Sequence, residues 1–133
     1  MNYLLDVSVL VALLTETHAD HAKVTKWAKG KTLAVCPLSE LGFLRVSIGA
    51  YKSTVEQARK VLADFWKSDQ PVFVPADIAA LAGEPFPSCQ KSADWYLAYL
   101  AAKHGMKWAT LDAGAKHPAA ELISKQQSGE TAA

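Results

Sequence analysis

Short apolar runs that stop abruptly limit what this chain can become more than any other feature. Tyr3-Leu4-Leu5, Leu33-Ala-Val-Cys36, Val72-Phe-Val74 and Lys107 to Leu111 are too short for helices, and they end at Asp6, Pro37, Pro75 and Asp112. Longer stretches with helical spacing separate them. Buried strands alternating with helices predict an α/β fold, a three-layer α/β/α arrangement around a central parallel sheet of four to five short strands. Glu121-Leu-Ile123 is the candidate fifth strand, at an edge.

The spacing predicts the helices in turn. Val9 to Leu14 forms a turn or two, and His18 to Ala28 a second helix closed by Gly30. Ser39 is placed to cap a third, with Glu40 in its first turn, Leu41, Leu44 and Ile48 on its apolar stripe, and Gly49 at its end. Ser53-Thr-Val-Glu56 has the spacing of a capping box, and Val55, Ala58, Leu62, Phe65 and Trp66 follow on one face to about Lys67. Asp77 is placed to cap a short helix through Leu81. Ser92 opens the last helix, with Leu97, Leu100 and Ala101 on one face and Gly105 at C′. Residues 1–123 then make one domain, and 124–133, without large apolar residues, a flexible tail.

Composition removes several function classes. The longest apolar runs, Val9 to Leu14 and Leu97 to Ala102, fall far short of the ~20 residues of a membrane span. The first residues carry no basic segment and meet Asp6 early, so a cytoplasmic protein is expected. Cys36 and Cys89 lack metal or disulfide spacing and read as core thiols. With 14 Lys and Arg against 13 Asp and Glu, the net charge is +1, so any nucleic-acid contact must be local.

Four acids stand apart from the solvated majority. Asp6 and Asp112 follow directly on apolar strands, at the carboxyl edge where parallel α/β sheets place ligands. Glu40 and Asp94 sit in the first turns of helices entered from the same edge. Singly, each also suits a cap or a first-turn acid favoured by the helix dipole. Jointly they point to one crevice. Four carboxylates with no Lys or Arg run beside them need a cation, and an all-oxygen set suits Mg²⁺ or Mn²⁺ and phosphodiester hydrolysis.

The blocks Leu4-Leu-Asp-Val-Ser-Val-Leu-Val-Ala-Leu13, Pro37-Leu-Ser-Glu-Leu-Gly-Phe-Leu-Arg45, Ser92-Ala-Asp-Trp-Tyr-Leu-Ala-Tyr-Leu-Ala101 and Ala109-Thr-Leu-Asp112 carry a resemblance. In order and spacing the chain resembles a PIN-domain ribonuclease, most closely the VapC-like toxins of bacterial toxin–antitoxin pairs. That resemblance implies a Mg²⁺- or Mn²⁺-dependent endoribonuclease, a homodimer, inhibited by a cognate antitoxin protein. It makes Asp6, Glu40, Asp94 and Asp112 the catalytic and metal-binding quartet, with Asp6 and Asp94 as direct ligands. Ser8, at a position where the family carries Asn, Thr or Ser, would orient Asp6 or a metal-bound water. Ala93 and Ala113 depart from a Thr and an Arg common in the family, which bears on phosphate contacts and RNA preference.

Other residues leave two readings each. Arg45 neutralises phosphate or pairs with an acid, and Lys91 and Lys116 are further candidates near the acidic rim. Trp95, Tyr96 and Tyr99 suit base stacking, core or dimer packing. Trp27, Trp66 and Trp95 are expected to lean outward toward a partner. His18-x-x-His21 and the run Lys23, Lys26, Lys29, Lys31 read as solvated surface. A non-catalytic PIN-like interaction module is the main rival function. A phospho-receiver-like Mg²⁺ domain fits less well, because Asp6 is alone after its strand and the late strand ends in Asp112 rather than Lys.

Overall fold

The computed structural model describes residues 1–123; the tail 124–133 lies outside the described residues. Strands β1 (Asn2–Leu5), β2 (Thr32–Val35), β3 (Val72–Phe73), β4 (Lys107–Thr110) and β5 (Ala120–Leu122) form one parallel sheet in the order β3-β2-β1-β4-β5. Around it lie α1 (Val7–Leu14), α2 (His21–Ala28), α3 (Pro37–Gly49), α4 (Val55–Asp69) and α5 (Ser92–Lys103). The fold is α/β, as expected.

Period-two alternation divides the core into two. Leu5, Leu33, Val35 and Ala109 meet α1 to α4 through Val9, Leu10, Val24, Phe43, Leu62 and Phe65 on one face. Leu4, Ala34, Cys36 and Trp108 meet Leu97, Leu100 and Ala101 of α5 on the other. The chain runs outward from β1 to β3, then crosses back to place β4 on the far side of β1. The carboxyl ends of β1 and β4 therefore flank a topological switch point, where such sheets open a crevice.

Several local expectations give way to tertiary demands. Ser39 does not cap α3; it is buried within the first turn, where its Oγ donates to the Leu5 carbonyl at 2.7 Å and ties α3 to the end of β1. Leu41 is 60% exposed, and α3 instead buries Ser39, Gly42, Phe43 and Ser47. The reason is close approach: a Cβ on Gly42 would collide with the Val7 side chain, so α3 meets α1 along its small residues. The capping box of α4 is one residue later than predicted, Thr54 with Gln57, each side chain accepting from the other's backbone N–H at 3.0 and 2.9 Å.

No helix forms from Asp77 to Leu81, because the Asp77 carboxylate is taken by His104 at 3.1 Å and Lys103 at 3.4 Å at the end of α5. Gly105, at φ +67°, follows α5 as predicted. Trp27 does not lean outward: it is 7% exposed and meets the Tyr3 ring edge-on at 5.3 Å. Cys36 is buried, but Cys89 is exposed, in a 3-10 turn (Cys89–Lys91) leading into α5. Among the described residues no helix is long and apolar enough to cross a membrane.

Candidate active site

Asp6 sits where β1 ends and α1 begins. Its Oδ1 accepts the Val7 backbone N–H at 2.8 Å, the N-cap bond of α1, while Oδ2 accepts from Ser8 Oγ at 3.2 Å and Thr110 Oγ1 at 3.1 Å. The residue is 5% exposed. Burial, together with repulsion from Asp94, outweighs these three donors and pushes its carboxyl up to about 6 from the ordinary 3.8. A carboxylate held this rigidly and at this cost faces an opening bordered by Asp6, Ser8, His18, Asp94 and Asp112, with Val46 of α3 and Ala50 just past its end on one side.

Asp94, in the first turn of α5, is half-buried. Burial raises its pKa, Lys91 opposes that, and the charge of Asp112 adds to it. Asp112 behaves oppositely. Its Oδ2 accepts from Lys91 Nζ at 2.9 Å and its Oδ1 from the Gly114 N–H at 2.9 Å, which hold its carboxyl below the usual range. The expectation of acids without a basic partner is thus corrected at Asp112, because the 3-10 turn before α5 carries Lys91 to it.

Glu40 does not join the opening. Its Oε2 accepts from Trp66 Nε1 at 2.8 Å, which turns it toward α4. Arg45 is exposed on α3, close to the bordering residue Val46 but not itself on the border. Tyr96 and Tyr99 are not free to stack on a ligand: Tyr96 donates to the Ile78 carbonyl and Tyr99 accepts from the Glu84 N–H, each at 2.7 Å, strapping the 75–91 loop onto α5.

Sequence reasoning missed two residues. Thr110 is fully buried; its hydroxyl donates to Asp6 and accepts from the Asp112 N–H at 3.1 Å, so one side chain joins both strand-end acids. Its place in Ala109-Thr-Leu-Asp112, two before the acid on an inward-facing strand, was the available signal. His18 borders the opening instead of lying on plain solvated surface. Its Nδ1 accepts the Asp20 N–H at 3.0 Å, which leaves Nε2 to carry the proton of the neutral ring.

Among the described residues no three His, Cys, Asp or Glu side chains converge closely enough to enclose an ion. The donor set nonetheless fits Mg²⁺ or Mn²⁺. Such ions take one or two carboxylates and keep several waters, and here two mutually repelling carboxylates, Asp6 and Asp94, face one opening with the Ser8 hydroxyl beside them.

A family model described as PIN domain matches residues 3–121. Ribonuclease VapC38 of Mycobacterium tuberculosis is 35% identical over 121 residues, covering 84% of this chain and 85% of that protein. Ribonuclease VapC29 of the same organism is 31% identical over 127 residues, with 88% and 90% covered. The crystal structure of VapBC2 from Rickettsia felis bound to a DNA fragment from their promoter shares the fold, with a TM-score of 0.63 at 17% identity over 93% of this chain and 100% of that one.

Proposed function

The chain belongs to the PIN-domain family and, within it, to the VapC group, and from that premise we propose that it is a divalent-metal-dependent endoribonuclease, the toxin of a toxin–antitoxin pair. The observation that carries the reading is Asp6, a buried carboxylate fixed by three donors with no Lys or Arg paired to it among the described residues, facing Asp94 at the switch point of the sheet. Asp6 and Asp94 would hold Mg²⁺ or Mn²⁺, with Asp112 beside them; Glu40 enters the proposal on the family resemblance and not on its position. When bound, the ion would lower the pKa of a water and offset charge on the phosphate oxygens.

The chain's own groups divide the remaining work. Val7, Ser8 and Thr110 keep the Asp6 carboxylate in one orientation, as partners of a ligating group do. A carboxylate oxygen of Asp94 not taken by the ion would accept a hydrogen bond from the attacking water and orient it. Lys91 and the exposed Arg45 supply positive charge for the RNA backbone. A homodimer is supported by apolar side chains left open on α3 and α4, Leu41 at 60% and Val55 at 59% exposed. A cognate antitoxin protein as inhibitor, and the cytoplasm as the place of action, complete the proposal.

The test is cleavage of total RNA and of tRNA with Mg²⁺, with Mn²⁺ and with chelator. Cutting should require the ion and vanish in Asp6→Asn. Intact RNA under every condition, with the wild type folded and metal-loaded, would favour a non-catalytic module instead.

A further inference from the structure

A second recess, of about 90 Å³, lies on the α5 side of the acidic opening and shares Asp94 and Asp112 with it as a common lip. Its lining differs in chemistry from the acidic side. Trp108 of β4, 3% exposed, and Ala98 of α5, fully buried, provide apolar wall; Trp95 and His117 are half-buried; Lys91 and Lys116 add two cations.

One feature marks the recess as more than a packing defect. The His117 ring is held in one orientation. Its Nδ1 accepts the Ala119 N–H at 3.0 Å, and its plane meets Tyr99 at 4.9 Å and Trp95 at 5.7 Å, both edge-on. Burial also keeps its pKa below the usual histidine value, so at neutral pH the ring is uncharged and carries its proton on Nε2. The aromatic lining therefore carries an N–H donor on His117, beside the flat apolar surface of Trp95.

A flat aromatic wall, an N–H donor and nearby lysines, sharing a lip with the carboxylates proposed to handle a phosphodiester, suit one kind of ligand. The geometry points to this recess as a subsite for an unpaired nucleobase next to the cleaved phosphate. The base lies against Trp95, while Lys91 and Lys116 hold the adjoining backbone. The inference rests on the nuclease reading and adds how that nuclease chooses where to cut. It also gives the 75–91 loop a role: by anchoring Tyr99 through the Glu84 N–H at 2.7 Å, the loop fixes the ring against which His117 is set.

The test is binding of short single-stranded RNAs carrying one 2-aminopurine, whose fluorescence falls on stacking, by Asp6→Asn protein with Mg²⁺ so that nothing is cut. Two variants are added to that background. Trp95→Ala removes a wall, and Ala115→Leu fills the recess from its rim and leaves every aromatic side chain in place; circular dichroism melts confirm folding. Quenching at one position of the RNA, with affinity reduced roughly 10- to 100-fold in both variants, is the expected result. Equal quenching and equal affinity in all three proteins would overturn the subsite. Cleavage by the otherwise wild-type chain is scored separately: a protein that stacks the base but never cuts RNA refutes the nuclease and leaves the recess standing.

Discussion

Replacing Asp6 by Asn tests the electrostatics of the site without touching its shape. In the folded chain the Asp6 carboxyl sits at about 6 against 3.8 ordinarily, roughly two pH units, and at ~1.4 kcal/mol per unit its ionisation in the metal-free protein costs about 3 kcal/mol. Because the folded value lies above the unfolded one, the protonated group favours the fold. That contribution is complete below about pH 4, shrinks as pH rises through 6, and is gone by about pH 8. His117 works in the opposite direction: its lowered pKa makes the fold lose stability as pH falls below the usual histidine value. The difference between wild type and Asp6→Asn cancels His117 and isolates Asp6. Urea unfolding in chelator from pH 5 to pH 8 should show the variant gaining on the wild type by about 1 to 2 kcal/mol across the range. Mg²⁺ should then stabilise the wild type by an amount set by its concentration over Kd, and leave the variant unmoved. A difference curve flat with pH would mean that Asp6 is not a buried, repelled carboxylate, and the reasoning would fail.

Three further substitutions probe the surroundings. Thr110→Val removes a donor to Asp6 and orphans the Asp112 N–H, so urea unfolding should show a loss of about 1–3 kcal/mol, and divalent affinity by calorimetry should fall about tenfold or more. Lys91→Ala frees Asp112, whose carboxyl should move back up on titration by NMR; Mn²⁺ should bind more tightly while KM for RNA rises, with little change in stability because the pair is exposed. Gly42→Ala drives a methyl group into Val7, next to Asp6, and should cost about 1–3 kcal/mol in the unfolding midpoint while lowering turnover.

How much of this was legible in the sequence depended on the range of the forces involved. Strands β1, β2 and β4 could be read because each is a short apolar run closed by an acid or proline, and a sheet with both faces covered has only one use for such runs. Gly105 could be read because its left-handed backbone is a local requirement. Ser39, Leu41 and Asp77 could not. In each case a partner distant in sequence overrode the local preference: the Leu5 carbonyl took the Ser39 hydroxyl, the approach of α3 to α1 turned Leu41 outward, and His104 and Lys103 took the Asp77 carboxylate.

The acids divide along the same line. Asp6 and Asp112 are positioned by the ends of neighbouring parallel strands, and Thr110 between them explains why they cannot be displaced separately. Asp94 is positioned by the start of α5, and the turn that delivers it also delivers Lys91. Glu40 shares the local signature of Asp94, a first-turn acid after a strand, but α3 runs beside α4 and Trp66 reaches its carboxylate first. One indole N–H therefore separates the acid that faces the opening from the acid that does not. Trp66→Phe removes that N–H and keeps an aromatic ring there, so an unchanged Mn²⁺ affinity in this variant would place Glu40 outside the metal site, and a tighter one would show Trp66 holding it back.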